Sequence, residues 1–110
     1  MKRAKQKKLV ERGWRVGTPA EFLALTPEEA VFVEIKLALS DALRAQRQTA
    51  NLSQAQVARK LGSSPSRVAK IEAGDPSLSH DLLIRALLGL GATKRTVART
   101  IETARLPRAA

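Results

Sequence analysis

Apolar residues in this chain recur at steps of three and four, and no stretch alternates with period two over a strand's length. That spacing predicts helices. The longest begins at Thr26-Pro27-Glu28-Glu29. Thr26 suits the N-cap, Pro27 the first helical position, and Glu29 the far side of a capping box. Val31, Ile35, Ala38, Leu39, Ala42 and Leu43 then fall on one face, which carries the helix to about Thr49. At ~1.5 Å per residue it is about 33 Å long, unusual in so small a domain.

Shorter helices follow. Ser53-Gln54-Ala55-Gln56 is a second capping box, and Leu52 before it is placed to staple onto Val57. Gly62 stops that helix, because a residue without Cβ accepts the left-handed conformation. Ser64 caps a third helix with Pro65 at its first position, Val68 and Ile71 facing inward, and Gly74 at its end. Leu78-Ser79 opens a fourth, to about Leu90 with Gly91 behind it. Thr93 caps a fifth, to about Arg105, ahead of Pro107. The expectation is an all-α fold, a five-helix bundle over residues 26–106, preceded by a basic N-terminal extension at 1–25.

Charge sharpens that picture. The 110 residues hold 20 Lys plus Arg against 10 Asp plus Glu, a net +10. A small protein this basic suits a polyanion such as nucleic acid. Residues 1–20 carry seven basic groups and one acidic, whereas residues 21–50 carry three and five. The basic excess returns at 51–80 and again at 81–110. There is no cysteine, so no disulfide or thiolate site, and the single His80 removes most histidine metal sites. No apolar run reaches the roughly 18 residues of a membrane span, and none of secretory length follows the basic start. The simplest expectation is a cytoplasmic protein without membrane, metal or cofactor.

The stretch LSQAQVARKLGSSPSRVAKIEAG, Leu52 to Gly74, carries the function. Two short helices joined by Gly62-Ser63-Ser64 form the helix-turn-helix layout. Ala58 is small where two helices must cross closely. Val57, Leu61, Val68 and Ile71 bury the inner faces. The outer face of the second helix keeps Ser66, Arg67 and Lys70, short or basic groups able to enter a major groove.

The pattern L-S-Q-x-x-V-A-x-x-L-G-S-S-x-S-x-V-x-K-I-E-x-G resembles the Xre/Cro repressor family, over residues 30–91. The resemblance implies a five-helix, lambda-repressor-like domain and sequence-specific binding to double-stranded DNA. It also implies roles for single residues. Gln54 would set its amide and a helix N-terminus on a phosphate. Ser64 would cap the recognition helix beside the backbone, and Ser66, Arg67 and Lys70 would face base edges. Pro65 stands where the family often has Gln. It cannot hydrogen-bond a base, so a thymine methyl is its expected contact and the reading code departs from the family's there. Glu72 resembles a family glutamate that pairs with an arginine of the long helix, and Arg47 is the matching position.

A narrower resemblance covers more of the chain. G-W-x-V-G, E-F-L-x-L-T-P-E-E, the long E-I-K-L-A-L-S-x-A-L-R helix and D-P-S-L-S-x-D-L-L-I-R-A-L-L-x-L-G-A are similar to HigA-like antitoxins. Those neutralise an RelE/ParE-like toxin and repress their own operon. This implies a toxin partner, for which Trp14 and Phe22 in the extension are the candidate anchors; the alternative is that the segment folds back and caps the domain's own core. A free-standing Xre-type regulator without a toxin is the alternative. Surplus apolar residues on the fourth helix, Ile84 and Leu88, favour a homodimer on a palindromic operator.

Other groups are better explained by structure. Ser79-His80-Asp81 holds the residue types of a hydrolase triad, but neighbours at a helix start cannot align as nucleophile, base and orienter. Ser79 reads as a cap, Asp81 as a complement to the helix dipole, and His80 as an exposed surface residue. Glu21, Glu28, Glu29 and Glu34 read as capping and solvated groups. No catalytic residue is expected. RNA is the weaker polyanion, because Trp14, Phe22 and Phe32 are not interleaved with the basic residues.

Overall fold

A computed structural model describes residues 24–105. Within them the chain forms five helices and no strand: α1 (Pro27–Thr49), α2 (Gln54–Leu61), α3 (Pro65–Glu72), α4 (His80–Gly89) and α5 (Lys94–Glu102). Every helix starts on a hydroxyl cap: Thr26, Ser53, Ser64, Ser79 and Thr93 each accept from a backbone N–H inside the first turn. The boxes at Thr26/Glu29 and Ser53/Gln56 are closed in both directions. The extension at 1–23, with Trp14 and Phe22, lies outside the described residues.

α1 is the frame. It packs most extensively on α4, and also on α5 and α3, while α2 packs on α3. Leu39 and Leu43 of α1, Ile71 of α3, Leu83, Ala86 and Leu87 of α4 and Val97 of α5 form one core. Val57 and Ala58 of α2 meet Val68 of α3 in a second, with Leu52 against it. Leu61 and Leu90 touch both and join them. α2 comes close to α4 there: a Cβ on Gly89 would stand 2.7 Å from Leu61 Cδ2. The Gln46 amide of α1 donates to the Leu90 carbonyl and so closes the end of α4.

The turns follow from conformational preference. α1 ends in a left-handed Asn51 (φ 57°), with Leu52 N–H bonded back to the Arg47 carbonyl. Gly62 (φ 63°) makes the reversal between α2 and α3, where a side chain would be strained although nothing occupies the space.

Three expectations are corrected. The buried stripe of α1 is Glu29, Val33, Lys36, Leu39, Ser40 and Leu43, whereas Val31 is 51% exposed. The apolar pattern misses this phase because Glu29, Lys36 and Ser40 are polar at inward positions. His80 is half-buried, its Nε2 2.9 Å from the Phe32 carbonyl and its ring against Phe32. α5 stops at Glu102, short of Arg105. The Thr100 and Thr103 hydroxyls donate back to the Thr96 and Arg99 carbonyls at 2.8 Å, side-chain bonds that compete with the backbone ladder in the last turn.

The phase of α1 is testable by chemical denaturation. Val33→Ala removes a fully buried side chain and is expected to cost ~2 kcal/mol. Val31→Ala is expected to stay within about 0.5 kcal/mol of wild type. The reverse order would return Val31 to the core.

Candidate nucleic-acid interface

α3 has eight residues, and Val68 and Ile71 point into the two cores. Their burial turns the opposite side outward, and Pro65, Ser66, Arg67 and Lys70 are all exposed. Ser64 Oγ accepts from the Arg67 N–H at 3.2 Å and lies 3.2 Å from Ser66 Oγ. The two hydroxyls thus form a small polar rim at the helix start.

Facing this rim is the turn between α3 and α4. Ser64, Ser66, Arg67 and Lys70 share an open cleft of about 400 Å³ with Ser77 and Leu78. Pro65 is not part of its lining. Ser77 and Leu78 come from a connection that sequence reasoning passed over, although Asp75-Pro76-Ser77 is a turn signature directly behind α3. Asp75 Oδ1 accepts from Ser77 N at 2.8 Å and from Ser77 Oγ at 2.7 Å. Those two bonds are the main reason the Asp75 carboxyl is held below its usual range.

The end of α3 is fixed by charge. Arg47 Nε and Nη2 donate to the two Glu72 oxygens at 2.6 and 2.9 Å. Its Nη1 donates to the Leu52 carbonyl at 3.0 Å. One guanidinium therefore joins the end of α1, the turn before α2 and the end of α3. The bond to Glu72 is the largest influence holding the Arg47 pKa above its ordinary value. Gln54, whose amide is expected on a phosphate, has a neighbour within the protein itself. Its Nε2 lies 3.4 Å from Glu72 Oε1, so its amide is turned inward, onto the same carboxylate.

Two helices at this spacing, one held by the other and by α1, with a polar and basic outer face, have the geometry of a helix-turn-helix. A family model described as a helix-turn-helix domain matches residues 38–100. The chain belongs to this family. The match spans all of α2 to α4, the second half of α1 and most of α5. No curated protein and no solved structure shows a significant match to the chain. Membership makes this a DNA-binding regulator domain. No group of His, Asp or Glu able to hold a metal occurs among the described residues, and no helix there is long and apolar enough to cross a membrane.

Glu72 is the residue whose loss separates support from reading. Its side chain is only 6% exposed and accepts two bonds from one guanidinium. Glu72→Gln keeps the shape but loses the charge and one of those bonds. It is expected to cost about 1–2 kcal/mol in urea unfolding, and to weaken DNA binding with it. Full stability in that variant would reduce the pair to a surface contact.

Proposed function

We propose that this helix-turn-helix protein is a sequence-specific transcriptional repressor of the Xre/Cro type, acting without catalysis. It binds a palindromic operator as a homodimer. Within that reading it is the antitoxin of a toxin–antitoxin pair, neutralises an RelE/ParE-like toxin and represses its own operon. The observation that carries the DNA reading is the outer face of α3, where Ser66, Arg67 and Lys70 stand exposed beside the Ser64 rim. Arg and Lys favour guanine O6 and N7, so guanines are expected in each half-site. Of the two surplus residues on α4, Leu88 is 45% exposed whereas Ile84 packs against the core, so the homodimer rests on the palindromic site expected of the family more than on an apolar patch. The antitoxin role is supported by the sequence layout shared with HigA-like proteins, and Trp14 and Phe22 are its proposed toxin contacts.

Selection of duplexes from a random library tests the reading directly. The expected product is a palindrome whose half-site centres lie one DNA turn apart, roughly 34 Å. Arg67→Ala and Lys70→Ala should each weaken binding to it by ~1–3 kcal/mol and relax one base pair, with smaller losses on random DNA. Equal losses on both would make these side chains phosphate contacts only. Failure to select any sequence would end the repressor reading.

The antitoxin role has its own experiment. An adjacent RelE-like reading frame, co-expressed with this chain, should lose its toxicity. The Trp14→Ala/Phe22→Ala variant should lose that protection while keeping its melting temperature and DNA binding. Full protection by the variant rejects the proposed contacts. Absence of such a frame, or of protection by wild type, leaves a free-standing regulator.

A further inference from the structure

The inward face of α1 carries a lysine where a hydrophobic residue would fit. Lys36 is 4% exposed, and its Nζ donates to the Pro76 carbonyl at 2.6 Å. Pro76 lies between Asp75, which folds the α3–α4 turn through Ser77, and the Ser77-Leu78 wall of the cleft. We propose that Lys36 is a positioning residue for DNA recognition: from behind the reading face, its ammonium holds the α3–α4 turn by Pro76 and sets where Ser77 and Leu78 stand opposite Arg67 and Lys70. This rests on the DNA-binding reading given above.

Burial keeps Lys36 from serving as a phosphate contact itself, since its charge lies inside the domain. That charge is costly there. Loss of hydration lowers its pKa to about 8, against a smaller opposing pull from Asp75. A methionine would fill similar space without that cost. Among the described residues, the ammonium adds a charge-assisted bond to a carbonyl of the α3–α4 connection, which walls one side of the cleft. The charged groups around it, among the described residues, are Asp75 on the turn, His80 on α4, and Lys70 on α3, which acts on Asp75. Glu29 lies two turns back on the same face of α1.

The signs of stability and binding are then opposed. Between about pH 8 and the ordinary lysine value of 10.5, the unfolded chain holds a proton that the folded one has shed. Through this group, stability therefore rises with pH across that window. The bond to Pro76 weakens as the charge is lost, so DNA affinity falls. A residue with a merely structural role would move both the same way.

The test uses the full chain and the duplex that wild type selects from a random library at pH 7. Lys36→Met should weaken binding to that duplex by roughly 2- to 10-fold, the range of one hydrogen bond. The slope of log affinity against log salt should not change, whereas loss of a phosphate contact lowers it by about 0.9. Wild-type affinity should fall toward the Lys36→Met value between pH 7 and 9.5, while the variant stays flat. If Lys36→Met does not fold, Lys36→Gln takes its place, and a fall in the wild-type profile counts only where the variant's is flat, because other amines also lose charge toward pH 9.5. Equal affinity of variant and wild type, a reduced salt slope, or a flat wild-type profile overturns the inference and leaves the DNA reading standing. A wild type that selects no duplex overturns both.

Discussion

A helix of eight residues is marginal in water on its own, and α3 has no more than that. How it meets DNA therefore depends on what Val68 and Ile71 are buried against. Val68 is fully buried between Val57 and Ala58 of α2, and Ile71 sits in the core with Leu39 and Leu43 of α1. These two anchors lie three residues apart, less than a full helical turn. Together they fix the rotation of α3 about its axis and decide that Ser66, Arg67 and Lys70 face outward. Tilt is fixed separately, by the Arg47–Glu72 pair at one end and the Gly62 reversal at the other.

Charge sets α1 apart from the rest of the domain. Residues 21–50, which include α1, are the one acidic part of the chain, with five acidic groups against three basic. Residues 51–80, which contain α2 and α3, carry four basic against two. On the surface, α1 exposes Glu28 and Asp41 beside Arg44, whereas α2 and α3 expose Arg59, Lys60, Arg67 and Lys70 and no acidic residue. Lys94, Arg95 and Arg99 of α5 are exposed as well, so charge draws a polyanion to more than one side of the domain, and the choice of α3 rests on its outward face and not on net charge alone. The exposed Asp81–Arg85 pair on α4 is an ordinary helix-surface contact and adds little to this.

Much of this was legible in the sequence, for local reasons. Caps, capping boxes and the glycine reversal are written in residues three or four apart, so all five helix starts could be placed. The Arg47–Glu72 pairing was available only through a family resemblance, because a gap of 25 residues carries no local signal. What escaped was set by distant packing. The inward phase of α1 was hidden by polar residues at core positions, Lys36 above all. The bond from His80 to the Phe32 carbonyl spans 48 residues. Gln54 looked free because nothing local shows that Glu72 lies beside it. Ser77 and Leu78 looked like a connector because their part in the cleft depends on how the turn is held against α1.

The supports of α3 and its reading groups are different residues. Val68, Ile71 and Glu72 face inward, and their partners on α1 and α2 are buried or half-buried. Ser66, Arg67 and Lys70 face outward, exposed and outside both cores. Substitution at the outward set is therefore expected to cost little stability, since surface changes away from packed or paired groups usually stay within about 0.5 kcal/mol, and under the proposed function it alters which bases are read. Ser64 is the exception, since its hydroxyl both caps the helix and stands in the rim. A change there alters the helix start and the reading face together. This separation leaves the outward face free to change while the scaffold stays tied to Val68, Ile71 and Glu72 behind it.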